Sequence, residues 1–196
     1  MPLKKLIAGL IAFTLFGCTS PVQNDDDSGS DTAAAVIDWE DCGGLIGDHA
    51  CNFTFVDQHG NPWTLYEHIG KVILIDFSAE WCGYCQVSAQ IVERTQQDFD
   101  PTGKEFVWVT LLVEDSTGNP PDLATVQAWT NYFGIESSPV LAADRTIIDV
   151  TGEAGYPVES WPMFLIVNRD MTIENGLRGW SEQLILQMIT DAIAKQ

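Results

Sequence analysis

Two cysteines three positions apart, Cys82 and Cys85, end the run Ile73-Leu74-Ile75-Asp76-Phe77-Ser78-Ala79-Glu80-Trp81-Cys82-Gly83-Tyr84-Cys85. Thiols at this spacing can join into a disulfide and reopen. The apolar residues read as a buried strand that empties into the pair, and the residues after it read as a helix. The first sulfur then lies at a helix N-terminus, where unpaired backbone N–H groups and the macrodipole favour a thiolate. The pattern points to a chain that trades electrons with other disulfides.

The elements needed to hold such a pair can be read on either side of it. Phe53 to Val56 has strand character, and Val72 to Phe77 is nearly continuous apolar sequence, as in a strand covered on both faces. A helix follows from about Gly83 to Phe99, and Phe106 to Val113 reads as a second central strand. After Pro120-Pro121, Leu123, Val126 and Trp129 recur at helical spacing, and Pro139 to Ala142 forms a short strand. Met163 to Val167 and Thr172 to Leu177 make a hairpin. Ser181 caps a last helix carrying Leu184, Ile185, Met188, Ile189 and Ala192 on one face. Strands alternating with helices predict an α/β fold with a central mixed sheet flanked by helices.

The run around Cys82 resembles the active-site segment of thioredoxin-fold oxidoreductases, including Asp76 six positions ahead of Cys82 and the Glu80-Trp81 pair. Ser160-Trp161-Pro162-Met163-Phe164-Leu165-Ile166-Val167 is similar to that family's cis-proline strand. Phe53 through Leu65 resembles the N-terminal hairpin of membrane-tethered thioredoxin-like reductases and peroxiredoxins. The resemblance spans roughly residues 52 to 195 and implies a thioredoxin-like fold with an N-terminal hairpin extension. The eighty positions between Cys82 and Pro162 exceed what the smallest thioredoxins need. Residues 114–160 are therefore a central insertion, where client selection is expected to be encoded.

The resemblance implies roles for individual residues. Cys82 is expected to be the nucleophile that attacks a client disulfide, and Cys85 the more buried thiol that resolves the mixed disulfide. Asp76 is expected beneath the pair, poorly solvated, with a raised pKa suited to exchanging a proton with Cys85. A surface aspartate at a strand edge is the competing reading, and alternation alone does not decide between them. Pro162 is expected in the cis form, exposing the backbone before it to an extended client; an ordinary trans proline opening a strand is the alternative. Trp161 departs from the small or β-branched residue common before this proline and would narrow the client groove or serve as an apolar platform. Trp81 is expected as a packed shield. With Gly83 and Tyr84, these residues make up the expected client-binding set.

Gly83-Tyr84 resembles the active site of bacterial periplasmic disulfide isomerases, yet no segment here is long enough for their separate dimerisation domain. A monomeric reductase is therefore expected, with isomerase or oxidase as alternatives, since potentials in such proteins run from about −270 to −120 mV. A peroxiredoxin-type peroxidase would want a single peroxidatic cysteine after a Thr-rich turn. Copper held by Cys82 and Cys85 would lack a nearby histidine, because His49, His59 and His68 are all distant in sequence. A non-enzymatic lipoprotein using the fold only to bind partners is a further alternative. No cofactor and no metal are expected.

Lys4-Lys5 and the apolar stretch Leu6 to Phe16 form a signal peptide, too short for a comfortable membrane span. Leu15-Phe16-Gly17-Cys18 resembles a bacterial lipobox, which implies a lipid on Cys18, a membrane anchor and a domain facing the periplasm. Thr19 in place of aspartate points by analogy to the outer membrane. An ordinary signal peptide with an incidental cysteine is the alternative. Residues 19–37, with Asp25-Asp26-Asp27, are an acidic flexible tether spanning roughly 25 Å, and residues 38–196 are the domain.

Setting Cys18 aside from five cysteines leaves an even number in an exported chain. Cys42 and Cys51 are paired as a structural staple; a four-thiolate zinc site joining both pairs is the alternative, with the wrong spacing for a zinc ribbon. Nine basic against 28 acidic residues give a formal charge of −19. Such a surface disfavours nucleic acid. It reads first as a soluble surface suited to a harsh or saline setting, and more sharply as steering of basic clients. The expected partners are client proteins with disulfides or thiols and an upstream redox partner.

Overall fold

The structure, a computed structural model, describes Ile37 and residues 39–195. The signal peptide, Cys18 and nearly all of the tether lie outside the described residues. Seven strands form one mixed sheet in the order β2-β1-β5-β4-β3-β6-β7. They are β1 (Thr54–Asp57), β2 (Pro62–Thr64), β3 (Val72–Ala79), β4 (Phe106–Glu114), β5 (Val140–Ala142), β6 (Met163–Val167) and β7 (Ile173–Arg178). Three helices join them: α1 (Gly83–Phe99), α2 (Leu123–Phe133) and α3 (Glu182–Ala194).

The continuous apolar content of β3 has the cause expected of it. All eight of its residues are buried, because β4 pairs on one side in parallel and β6 on the other antiparallel, while both faces are covered. On one face Ile73, Ile75 and Phe77 pack with Val109, Leu111 and Tyr156; on the other, Val72 and Leu74 pack beneath α1 and α3 with Trp108, Val92 and Ile189. The N-terminal hairpin, β1 with β2, docks through β1 onto β5 and extends the sheet.

Local chemistry sets the helix ends. Asp122 caps α2 by accepting from Thr125 N at 2.8 Å, directly after Pro120-Pro121. Gly134 closes it in the left-handed region at φ 67°, where a side chain would be strained. Ser181 caps α3 through Leu184 N. Two apolar positions differ from expectation: Leu123 and Leu184 are 37% and 52% exposed. Both lie in the first turn of their helices, ahead of the stretch that the sheet covers.

Residues 114–160 are integrated into the domain, since they supply both α2 and β5. The stretch after β5 packs against the chain's start: Gly44 N donates to Gly152 O at 2.8 Å, and the buried Tyr156 hydroxyl donates to Cys51 O at 2.6 Å. A Cβ at Gly44 would collide with the Gly155 carbonyl, so this close approach needs glycine. Cys42 and Cys51 are joined in a disulfide across nine positions. The loop between them pairs with the edge of β7 through Gly47 N to Ile173 O and Ile173 N to Asp48 O, both 2.8 Å. Replacing both cysteines by serine, with the Cys82–Cys85 pair kept oxidised, should lower the free energy of unfolding by about 2–3 kcal/mol in a urea titration. An unchanged midpoint would mean that the bridge constrains nothing.

Candidate active site

The site is built where β3 ends and α1 begins. Cys82 caps α1 with extended backbone, and its sulfur accepts from Cys85 N at 3.2 Å. The two cysteines form a disulfide with Cα atoms 5.2 Å apart. Both pairs are thus closed as separate disulfides, and the four-thiolate zinc arrangement is not formed. Cys85 is fully buried, while Cys82 keeps 6% exposure. Access is therefore asymmetric, and only Cys82 borders an open cleft.

That cleft, of about 510 Å³, is lined by Trp81, Cys82, Gly83, Tyr84, Val87 and Trp161. It carries no charged side chain. Tyr84 is 66% exposed, and Gly83 faces open space, with no atom within 4 Å of where a Cβ would sit. Trp161 packs into both core clusters and forms the far wall. The Trp161–Pro162 peptide is cis, and Pro162 O accepts from Gly179 N at 2.8 Å. Pro162 directly precedes Met163, which pairs with Phe77.

Trp81 is not the packed shield read from the sequence. Its indole is half exposed and is held by its edge, Nε1 donating to Glu114 Oε2 at 2.7 Å. Glu114 is itself buried and pairs with Arg145, whose Nε reaches Oε1 at 2.5 Å. The polar edge of the ring is fixed and its apolar face is left to the cleft.

Asp76 is 1% exposed on a central strand, so the edge-strand alternative does not apply. It shares a face with Leu74, toward α1. Four donors converge on its carboxyl: Ser78 Oγ at 2.7 Å, Ser88 Oγ at 3.2 Å, Trp108 Nε1 at 3.4 Å and Thr110 Oγ1 at 3.5 Å. Burial disfavours the charged form more strongly than these donors favour it, and the pKa rises to about 6. Ser88 lies three positions after Cys85 on the same buried face of α1, so the carboxyl faces the helix one turn from the second sulfur.

None of these four donors was identified from the sequence. One signal was available for two of them. Ser78 shares the Asp76 face two positions on, and Ser88 shares the Cys85 face at helical spacing. Thr110 and Trp108 needed the β3–β4 register, which sets Asp76 beside Thr110. Cys42 and Cys51 lie apart from this site, in the cluster on the opposite sheet face. Among the described residues no group of three or more His, Cys, Asp or Glu could hold a metal ion.

A redox disulfide heading a helix, a cis-proline beside it and a buried carboxyl beneath it on a mixed sheet define a thioredoxin-like site. The Redoxin family profile matches residues 45–169, and the chain belongs to that family. The thiol-disulfide oxidoreductase ResA of Halalkalibacterium halodurans is 24% identical over 142 residues, 71% of this chain and 72% of the relative. A thioredoxin family thiol:disulfide interchange protein from Chlorobium tepidum matches with a TM-score of 0.56 at 19% identity, covering 80% of this chain and 99% of that one. The exposed lipoprotein thioredoxin Etrx1 of Streptococcus pneumoniae matches with a TM-score of 0.55 at 19% identity, covering 74% and 100%. With this family, fold and redox pair, the chain is a thiol:disulfide oxidoreductase.

The Asp76 carboxyl has a consequence for stability. Native protein holds its proton up to about pH 6, whereas the unfolded chain releases it near 3.8. The stabilisation is complete below about pH 4 and is lost as pH rises through 6. Between pH 4 and 8 the wild type should lose on the order of 2–3 kcal/mol that Asp76→Asn does not, measured as the difference between their urea-unfolding free energies. Identical pH slopes for the two proteins would contradict this assignment.

Proposed function

We propose that this protein reduces disulfides of client proteins outside the cytoplasm, with Cys82 as nucleophile, Cys85 as resolving thiol and Asp76 as the group that takes the Cys85 proton. The observation that carries the reading is the unequal access of the two sulfurs at the head of α1, with a buried carboxyl facing the helix beneath them. In the reduced protein the Cys82 thiolate attacks one client sulfur, a mixed disulfide forms, and the other client sulfur leaves as a thiolate that takes up a proton. Cys85 loses its proton to Asp76 and attacks Cys82 Sγ. The client's second thiol is released, and the protein is left with the Cys82–Cys85 disulfide. Two electrons have moved to the client, and an upstream dithiol must return them.

The cleft walls Trp81, Gly83, Tyr84 and Trp161 suit an extended apolar segment, and the backbone ahead of cis Pro162 offers it a ledge. Residues 1–18 are read as a lipoprotein signal with lipobox Cys18, which is lipidated and becomes the first mature residue, residues 19–37 as the tether and residues 38–196 as the working domain. The anchored, envelope-facing placement draws support from the leader and from the name of the pneumococcal neighbour, a lipoprotein. No helix among the described residues is long and apolar enough to cross a membrane.

Full-length protein should reduce a model peptide disulfide with a dithiol as electron source, and Cys82→Ser should abolish turnover. Cys85→Ser should accumulate the mixed disulfide, visible on a non-reducing gel. Asp76→Asn should slow resolution on the order of 10²-fold at pH 7.5 and much less below pH 6. Equal rates for wild type and Cys82→Ser would overturn the reading. An equilibrium titration of the pair that returns a potential near the oxidising end would instead favour an oxidase or isomerase.

A further inference from the structure

A second cleft lies against the residues that flank the redox pair, Glu80 before it and Gln86 after it, and its chemistry differs from that of the first. It measures about 360 Å³ and is lined by Glu80, Gln86, Ala128, Trp129, Tyr132 and Phe133. Glu80 and Trp81 are neighbours in the chain, as are Gln86 and Val87, yet each pair divides between the two clefts. Gln86 N donates to Cys82 O at 3.1 Å and Gln86 Nε2 to Glu80 O at 2.8 Å. The start of α1 is therefore the ridge between an apolar cleft and one that holds a carboxylate.

The aromatic wall of the second cleft belongs to α2. Trp129 and Phe133 pack with ring centroids 4.6 Å apart, and Tyr132 meets Phe133 edge-on at 4.8 Å. Tyr132 is 82% exposed. Glu80 Oε2 accepts from Ser116 N at 2.7 Å, which fixes the carboxylate and leaves Oε1 without a hydrogen-bond partner among the described residues. A carboxylate that lines the same cleft as an uncovered aromatic ring is suited to a cation, which gains from both the charge and the ring quadrupole. Charge around the site is one-sided as well. Glu80, Glu114 and Asp115 cluster where β3 and β4 end, and the nearby cation Arg145 is paired with Glu114. Among the described residues, Lys71 and Lys104 form no ion pair, and both lie at the opposite ends of those parallel strands.

Building on the exchange reading above, we propose that the Glu80–Tyr132 cleft receives a lysine or arginine side chain of the client, so that the protein prefers disulfides flanked by basic residues. The client's apolar residue occupies the Trp81–Trp161 cleft and its cation the other, with the scissile disulfide held over Cys82 between them.

The test uses full-length protein, reduced and freed of reductant, mixed with three peptide disulfides that differ only in flanking lysine, glutamine or glutamate. Oxidation of the protein is followed by tryptophan fluorescence. The second-order rate should fall in the order lysine, glutamine, glutamate, and the spread should shrink in high salt. Tyr132→Ala and Glu80→Gln should each reduce the lysine-to-glutamine rate ratio about three- to fivefold. Tyr132 carries no charge, so loss of preference in Tyr132→Ala separates the cleft from steering by the acidic domain as a whole. A ratio unchanged in Tyr132→Ala, or equal rates with lysine and glutamine in the wild type, would overturn the cleft assignment while leaving disulfide exchange intact. Failure to react with any of the three peptides would overturn both readings.

Discussion

Burial of the central strand β3 on both faces is the constraint from which the active site follows. A strand covered above and below, and paired on both edges, leaves its side chains no exit to water. Its six apolar residues tolerate this easily, and the Ser78 hydroxyl donates to Asp76. Asp76 does not tolerate it, and the fold compensates with four neutral donors rather than with a cation. Neutral donors soften the desolvation cost without cancelling it. The carboxyl is consequently left poised near neutrality, where a lysine or arginine partner would have driven it far below.

The same strand fixes where the sulfurs sit. When it leaves the sheet after Ala79 the chain turns at once, Cys82 N donating to Ala79 O at 3.1 Å, and the helix begins at Gly83. This turn is too short to carry Cys82 away from the core, yet long enough to point its sulfur at the cleft. Cys85, within the first turn, falls on the buried face with Ser88 and Ala89. The difference between an attacking and a resolving thiol is thus geometric before it is electronic. One helix register puts one sulfur at the rim and the other in the core.

Much of this was legible in the sequence because the relevant signals are local. Helix α1, strand β6 and the cap Ser181 each rest on residues within a few positions of one another, and the cis form of Pro162 was implied by the resemblance of its segment. The resemblance placed Asp76 beneath the pair, but the strand's own residue pattern does not orient it, for a physical reason: a strand buried on both faces loses the alternation that would say which side a residue faces. The β3–β4 register and the placement of α1 supply that information in the folded chain. Trp81 was misread for a related cause. Its partner Glu114 is 33 positions away and Arg145 a further 31, so the network that turns the indole outward exists only after the sheet has formed.

The first residues of the domain show how the fold protects this arrangement. Strand β7 is the outer edge of the sheet beyond β6, the strand that carries the cis-proline end of the site. An open edge there would invite pairing with another chain and would loosen β6 with it. The Cys42–Cys51 loop covers part of that edge by bonding Ile173 in both directions, and Tyr156 ties the base of the loop to the central insertion. The second disulfide lies in a different core cluster from the first, yet it acts on the same sheet: closing the loop keeps β7 in place, β7 holds β6, and β6 sets Trp161 and Pro162 against the cleft that Cys82 faces.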